Sequence, residues 1–481
     1  MKDPFRLKLI APLAAGAALF ALAGCTVGPN YQAPTVKATP GQWAEPLPST
    51  AAGTGDSLTV WWKSFHDPEL DSLIGRALRE NLDLRIAEAR IRQSRAQLRG
   101  TVADQGPTVD TKASYERNRQ SANQPLFSGL LPPSVPLENN VYQAGFDASW
   151  ELDVFGGGRR AVESAQASLA ASVFNHEDMQ VTLTSEVAQN YLAARMMQSR
   201  LAIARHNREV EAKEVTLARD RYRHGLTNSL DAEQAATVLA QTEAELPALE
   251  SQLQTSIHRL GVLLGQPPEA LLVELSAVAP PPQKPPLVPV GLPSELLLRR
   301  PDIRGAERQL AAATAQIGVA TADLFPKFSL TGNIGYESIS PSTWFDAPSR
   351  FWTVGPTVQW QLFDSGRVRA NIRLQNAKQE EALAKYEKTV LTGFEEVENA
   401  LVAYAKEQIR HEALQRVVVS SDNSLRIAQE QYSRGLTSFI NVLDAERSTY
   451  QAQDTLAQSD QNVIQDVIAL YKALGGGWQT S

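Results

Sequence analysis

The spacing of hydrophobic positions changes several times along the chain, and each change predicts a new element. From Asp67-Pro68 to about Val102 the apolar side chains recur every three or four residues, which predicts a helix that begins at a proline. Alternation replaces this spacing between Val109 and Tyr115. A second alternating stretch follows, and a strict period of two over such a length predicts a strand. The apolar face of this second strand carries Tyr142, Ala144, Phe146, Ala148, Trp150, Leu152 and Val154.

A helical pattern then continues to His224, and its roughly 68 residues would form a rod of about 100 Å. After a turn, another helix is predicted from about Ser229 to Leu264. The second half of the chain repeats this order, which predicts a duplicated helix–strand–strand–helix–helix unit. Its long helix carries the three-and-four spacing of a coiled-coil seam at Leu383, Tyr386, Val390, Phe394, Val397, Leu401 and Tyr404.

The clearest repeated segment lies between the helices of each half. Tyr222–Leu230 returns 210 residues later as Tyr432–Ile440, with Gly-Leu-Thr at the centre of both copies. A glycine just past a helix can take the left-handed conformation that side chains resist. The Thr and Ser residues that follow can accept the free amides of the next helix as N-caps. Each copy is therefore predicted to be the bend of a helical hairpin.

The amino-terminal segment is typical of a signal peptide. Basic residues precede an apolar run from Leu9 to Ala23, which is shorter than the ~20 residues that cross a membrane. The run ends in Leu-Ala-Gly-Cys at Cys25, which resembles the bacterial lipoprotein box, and Thr26 favours sorting to the outer membrane. We therefore expect residues 1–24 to be a lipoprotein signal peptide and Cys25 to carry a covalent lipid; an ordinary secretory peptide is the alternative.

Composition shifts divide the chain further. The predicted segments are a signal peptide at 1–24, a lipid-anchored tether at 25–60, a first repeat at 61–279, a proline-rich connector at 280–292, a second repeat at 293–474 and a tail at 475–481. Within the repeats, strands are predicted at about 108–118, 141–154, 327–337 and 351–362.

Charge and composition exclude several classes of function. The net charge of −7 argues against nucleic acid as the main partner. Cys25 is the only cysteine, and no two of the six histidines have a metal-ligand spacing, so no metal site and no cofactor beyond the lipid is expected. A cell-wall lipoprotein enzyme finds no support, because motifs such as Gly-x-Ser-x-Gly and His-Glu-x-x-His are missing from the sequence. No catalytic residue is predicted.

Two motifs look like sites but have simpler explanations. Gly156-Gly157-Gly158 lies between a strand and a helix, yet it lacks the Gly-Lys-Ser/Thr ending of a phosphate-binding loop. Arg299-Arg300-Pro301-Asp302 resembles an active-site cluster, but a proline at this point more simply begins a helix. We interpret both as structural.

Four amphipathic strands are too few to close a membrane barrel, since the smallest have about eight. Aromatic residues nevertheless cluster near the strand ends, as they do at membrane interfaces: Trp150, Trp344, Phe351 and Trp352. Open strand edges are not tolerated in lipid, so other subunits must complete the sheet. The predicted fold is mainly α, with a membrane β-barrel that several chains build together.

Several motifs occur in the order of a known family. Cys25–Tyr31, Trp61-Trp62 with Asp67-Pro68, Asn81–Leu84, Gly291–Ile303 and both Gly-Leu-Thr bends resemble the TolC-like outer-membrane efflux factors, in their lipoprotein (NodT- or OprM-like) branch. The resemblance implies a homotrimer whose 12-stranded barrel is continued by a long α-helical periplasmic tunnel. It also implies a passive exit duct in the outer membrane of a Gram-negative bacterium. Its partners would be a periplasmic membrane-fusion adaptor and an inner-membrane transporter of the RND, MFS or ABC type.

The same resemblance assigns roles to individual residues. In the family both bends meet the adaptor, so the implied docking residues are Gly225, Leu226, Thr227, Gly435, Leu436 and Thr437. Side chains after the second bend close the tunnel in the family, which makes Ile440 and Asp444 the implied periplasmic gate, with Asp231 a weaker candidate. Three copies of Asp444 would form an acidic ring that favours protonation, cation binding or opening.

Competing interpretations remain at this level. The chain could be a lipid-anchored periplasmic coiled-coil scaffold, although its alternating aromatic strands argue against that. The glycines could serve the turns alone, and Asp444 and Asp231 could be ordinary solvated helix residues. Some relatives carry a second acid where this chain has Asn441, so the number of acidic rings stays open. The exported substrate is not encoded in any pattern of the sequence.

Overall fold

The computed structural model describes residues 26–35, 41–44, 56–119, 121, 138–278 and 293–478. The predicted signal peptide, Cys25 and the connector at 280–292 lie outside these residues. The chain forms two compact units, each drawn from both halves of the sequence. The first unit comprises residues 1–34, 92–171 and 307–385, and the second comprises residues 35–91, 172–306 and 386–481.

The first unit contains one antiparallel sheet of four strands. These are β1 (Thr108–Arg119), β2 (Glu138–Leu152), β3 (Lys327–Ser338) and β4 (Arg350–Gln359), in that spatial order. Strand β4 ends at Gln359, three residues before its predicted end, because its partner β3 starts at Lys327 just after Pro326. In the part of the chain that the structure describes, β1 and β4 each pair along one edge only.

The strand register separates the sheet into an apolar and a polar face. One row across the sheet places Phe146 opposite Ile334 and Ile334 opposite Trp352. These three side chains are 57%, 60% and 71% exposed, so the apolar face is uncovered in the single chain. The neighbouring row is polar and pairs Asp147 with Asn333. The alternation predicted from the sequence is therefore present across all four strands.

The α-helices of seven residues or more repeat in the two halves. They are α1 (Pro68–Glu80), α2 (Leu82–Ala103), α3 (Gly157–Arg223), α4 (Ser229–Leu263), α5 (Pro293–Arg299), α6 (Pro301–Ala322), α7 (Arg367–Ser433) and α8 (Phe439–Ala473). Helices α3 and α7 both have 67 residues, and α4 and α8 both have 35, which agrees with the predicted duplication. None of the described helices has the length and apolar character that crossing a membrane requires.

The main core of the second unit is built around Trp61. Its indole is 1% exposed, stacks on Tyr471 at 5.0 Å between ring centroids, and meets Trp62 edge to face. The predicted seam of α7 is buried in the same cluster from Tyr386 to Tyr404. The tryptophan pair thus anchors the segment before α1 to the core that α3, α4, α7 and α8 share.

The single helix predicted from Asp67 to Val102 is wrong, because the chain breaks at Asn81. This residue is extended, with ψ 134°, and separates α1 from α2. Its Oδ1 accepts a hydrogen bond from the amide of Leu84 at 3.0 Å, and its Nδ2 donates to the carbonyl of Leu263 at 2.8 Å. The tertiary partner at the end of α4 makes the break favourable, and that partner lies too far away in sequence to be anticipated.

The spacing of apolar residues also predicts one helix from about Pro293 to Leu324 at the start of the second repeat, and this helix is broken as well. Pro301 has no amide hydrogen and restricts the residue before it, so α5 ends at Arg299 and α6 begins at Pro301. The buried Arg300 guanidinium binds the carboxylates of Asp302 and Glu396, both at 2.6 Å, and the carbonyl of Ala473 at 2.9 Å. This motif therefore ties α6, α7 and α8 together.

The glycine-rich segment before α3 is a structural turn. Gly156 has φ 79°, and the Asp153 carboxylate accepts hydrogen bonds from the amides of Gly158 at 3.1 Å and Arg159 at 2.8 Å. The amides that a phosphate would need are thus already bound by the chain's own carboxylate.

Replacing Asn81 with alanine should lower the free energy of unfolding by about 1–3 kcal/mol, because it removes a helix cap and leaves the buried Leu263 carbonyl without its donor. Equilibrium unfolding of the purified protein in detergent, followed by tryptophan fluorescence, measures the change. Asn376→Ala, at an exposed position of α7, is the matched control and should unfold like the wild type. Equal unfolding midpoints for the two variants would contradict the role given to Asn81.

Candidate docking and gate site

The two bends have the same backbone structure. Gly225 and Gly435 have φ values of 74° and 72°. The amide of Leu226 donates to the carbonyl of Arg221, and that of Leu436 to the carbonyl of Gln431, both at 2.9 Å, which closes a Schellman motif at each helix end. An added Cβ at either glycine would meet nothing within 4 Å. Glycine is therefore required here by the backbone angle and not by crowding.

Each bend presents a bare leucine at its tip. Leu226 is 68% exposed and Leu436 is 73% exposed, in a conformation that the Schellman hydrogen bonds hold rigid. The flanks of the two bends differ. Tyr222 is exposed in the first bend, whereas its counterpart Tyr432 packs on Phe439 at 5.2 Å and lies under the Arg221 guanidinium at 4.6 Å. The second bend is consequently the better packed of the two.

The prediction that Thr and Ser side chains cap the following helices is wrong in the first bend. In the second bend Ser438 is the N-cap residue, but its side chain makes no capping hydrogen bond. In the first bend Asn228 is the cap, and its Oδ1 accepts from the amide of Asp231 at 3.2 Å. Thr227 instead donates its hydroxyl to the Asp231 carboxylate, because a charged acceptor binds it more strongly than a neutral one. In the second bend the Thr437 hydroxyl accepts from the side-chain amide of Asn441 at 2.7 Å. Both threonines thus hold the residue one turn into the next helix.

The predicted gate residues differ in their exposure and in their partners. Ile440 and Asp444 lie one turn apart on α8 and both contact solvent, and the Asp444 carboxylate is 3.4 Å from the Arg447 guanidinium. An exposed ion pair of this kind contributes about 0–1 kcal/mol to stability, so it holds the Asp444 carboxylate only weakly. Asp231 is half-buried and bound by Thr227, so it is not presented in the same way.

Beneath the bends, one apolar cluster joins all four long helices of the second unit. Its buried members are Val215 and Ala218 of α3, Ala232 and Ala235 of α4, Ala428 of α7, and Phe439, Val442 and Leu443 of α8. Because both bends rest on this shared cluster, the packing of one bend depends on the position of the other.

Sequence reasoning missed a buried acidic group next to the cluster. Glu446 is completely buried although it lies only two residues beyond the exposed Asp444, and Glu211 of α3 is 2% exposed. Burial first, and then the nearby Glu214 and Glu211, raise the pKa of Glu446 to about 10. Burial also raises the pKa of Glu211 to about 7. The available signal was the helical spacing of Phe439, Val442 and Glu446, which puts this glutamate on the apolar face of α8.

Comparison with a family model gives two matches in this chain. The family described as outer membrane efflux protein matches residues 73–266 and again residues 292–476. The two matches correspond to the two halves that share helix lengths and bend geometry.

Individual relatives match over nearly their whole length. The chain is 35% identical to the pyoverdine export outer membrane protein OpmQ of Pseudomonas putida, covering 92% of this chain and 93% of that protein. It is 32% identical to the solvent efflux pump outer membrane protein SrpC of Pseudomonas putida, covering 96% of this chain and 98% of that protein. Among solved structures, the outer-membrane channel OprN superimposes with a TM-score of 0.86 at 38% identity, covering 95% of this chain and all of that one.

Proposed function

Because the chain belongs to the outer membrane efflux protein family, we propose that it is the passive exit duct of a tripartite efflux or export pump. The chain is an outer-membrane efflux channel with the fold class predicted from its sequence. The observation that carries the proposal is the likeness to a solved outer-membrane channel over 95% of the chain. In this proposal the protein has no catalytic residue and no cofactor, and a lipid on Cys25 anchors it.

The sheet supports a homotrimer. One chain supplies four strands, an uncovered apolar face and two open edges. Three chains would supply 12 strands, enough to close a membrane barrel with its apolar face toward lipid. The edges belong to different strands, so β4 of one chain would pair with β1 of the next and the ring would close.

The two bends are the proposed docking surface for a periplasmic membrane-fusion adaptor, through Gly225, Leu226, Thr227, Gly435, Leu436 and Thr437. A rigid, exposed leucine offers an apolar knob whose burial contributes about 1.5–3 kcal/mol. The adaptor would connect the duct to an inner-membrane transporter of the RND, MFS or ABC type.

The relatives differ in the compounds that their names record. One is named for pyoverdine export and another for solvent efflux, at similar identity to this chain. We therefore propose that the duct releases drugs or other small molecules that its transporter selects.

A charge on the apolar face of the sheet should reduce assembly in the outer membrane. Val354→Arg places a cation on that face of β4 and should cost up to about 2–4 kcal/mol, depending on depth. Thr353→Arg, at the adjacent residue on the polar face, is the control and should assemble normally. The measurement is the amount of heat-resistant trimer in outer-membrane extracts. Wild-type protein found as a monomer in the soluble periplasmic fraction would contradict the duct and favour the scaffold alternative.

A charge at the tip of the second bend should abolish export without affecting assembly. Leu436→Glu should weaken adaptor binding roughly ten- to a hundredfold, which corresponds to losing the burial of one leucine. Export is measured as the resistance of cells to compounds that kill a strain lacking the chain. Val273→Glu changes a residue that is 86% exposed away from the bends, so it should export normally. Undiminished export by Leu436→Glu, with trimer at wild-type levels, would refute docking at this bend.

Asp444 is the proposed acidic gate and Ile440 the proposed apolar constriction, with Asp231 a weaker candidate because Thr227 binds it. Asp444→Asn keeps the shape of the side chain and removes the charge of the ring. We expect a several-fold weaker dependence of single-channel conductance on divalent cations in planar bilayers, since a ring of acids attracts them. Asp220→Asn is closely matched, because Asp220 also pairs with an arginine three residues later, at 3.2 Å. Identical cation dependence in the two variants would remove Asp444 from the gate.

A further inference from the structure

Three glutamates meet between α3 and α8 below the second bend. Glu211 and Glu214 come from α3, and Glu446 comes from α8. Both carboxylate oxygens of Glu446, and one oxygen each of Glu211 and Glu214, are inaccessible to solvent and have no hydrogen-bond donor. The Thr449 hydroxyl, on the same face of α8 and 1% exposed, also has no partner. Unsatisfied buried polar atoms thus belong to three neighbouring glutamates and to a threonine one turn further along α8.

Such a group is unfavourable when charged. An unpaired buried carboxylate loses its hydration, and like charges on facing helices repel each other, so the neutral form is strongly preferred. A proton on one carboxyl also provides the missing donor, because it can be shared with the carboxylate opposite. Protonation therefore turns a repulsive contact between α3 and α8 into an attractive one.

The surroundings of the cluster offer little compensating positive charge. From α4, the Thr242 hydroxyl donates to Glu211 at 2.9 Å, while Glu243 and Glu245 add negative charge. From α7, the side chain of Gln429 acts to lower the pKa of Glu446 but does not reach hydrogen-bonding geometry with its oxygens. From α8, Tyr450 adjoins all three acids, and its own pKa is raised by burial.

Water can reach the edge of the cluster through a cavity of about 520 Å³ between α3, α4 and α8. Glu211 and Tyr450 line this cavity. The two arginines of its wall, Arg200 and Arg447, are each close to an aspartate, Asp454 at 2.7 Å and Asp444 at 3.4 Å. Protons can therefore exchange with the cluster from the cavity, while both arginines of the cavity wall already pair with aspartates.

We propose that Glu446 and Glu211, packed beside Glu214, form a proton-binding lock that holds α3 against α8 under the bends, and that loss of its protons loosens this contact. The lock is a regulatory device for the proposed gate, and its use in export rests on the proposed function. The packing itself depends only on the cluster.

The direction of the pH effect follows from the raised pKa values. The packed state keeps protons that separated, hydrated carboxyls would lose above about pH 4.5. Packing is thus strongest at low pH and weakens as the pH rises, through about 7 for Glu211 and toward about 10 for Glu446. Each additional proton bound by the packed state makes separation about tenfold more favourable per pH unit.

Amide hydrogen exchange tests the lock in the purified full-length protein. The measurement covers peptides from residues 205–220 and 436–452 between pH 5 and 8, in detergent with a chelator, after correction for intrinsic exchange rates. We expect the opening equilibrium of the wild type to rise about tenfold per pH unit or more. Glu446→Gln mimics the protonated side chain. The amides of this variant should therefore stay protected from exchange, and the pH dependence of its opening equilibrium should be at least tenfold weaker per pH unit than in the wild type.

Glu209→Gln is the matched control, because Glu209 is an exposed glutamate on α3. It should show the wild-type profile. Glu211→Gln, on the facing helix, should reduce the pH dependence as Glu446→Gln does, and provides a second variant if either one assembles poorly. An unchanged pH dependence in both cluster variants would overturn the proposal. If the proposed export function were wrong, the exchange profiles would stay the same, since exchange is measured on the isolated protein.

Discussion

Unpaired backbone at two strand edges is the constraint on which the rest of the structure depends. Strands β1 and β4 each leave one row of amides and carbonyls without a strand partner in the described chain. In hydrocarbon each unsatisfied group costs several kcal/mol, so the sheet cannot exist there alone. The edges come from different halves of the duplicated chain, and β1 and β4 run in opposite directions. Joining β4 of one copy to β1 of the next therefore continues the antiparallel order, which is what a closed ring requires.

The two bends of the duplicated chain share one backbone conformation but have different side chains around them. The Schellman turns at Gly225 and Gly435 follow from a local rule and are alike. The side chains that flank each turn do not follow from that rule. Tyr432 is held between Phe439 and Arg221, while Tyr222 is exposed, so the second bend is fixed to the shared cluster more firmly. A partner that binds both bends would meet the same backbone shape with different side chains around it.

The features that the sequence could predict depend on short-range periodicity. The alternation around Phe146 predicts a strand with one apolar face, and the glycine of each bend predicts a left-handed turn, because both follow from neighbouring residues alone. The features that it could not predict depend on distant partners. Asn81 breaks a helix because it reaches Leu263, and Arg300 is structural because Glu396 and Ala473 surround it. The spacing of Phe439 and Val442 puts Glu446 on the apolar face of α8, but only the packing of α3 brings Glu211 and Glu214 next to it.

Glu446 also changes how the neighbouring Asp444 is understood. Two residues along an α-helix are about 200° apart, so these acids point to opposite sides of α8. One is exposed and pairs loosely with Arg447, while the other is buried against α3 without a donor. A rotation or shift of α8 that hydrates Glu446 must therefore also move Asp444 and Ile440. In the proposed lock, the charge of the buried acid would set the position of α8 and, with it, the position of the exposed acid on the other side of the helix.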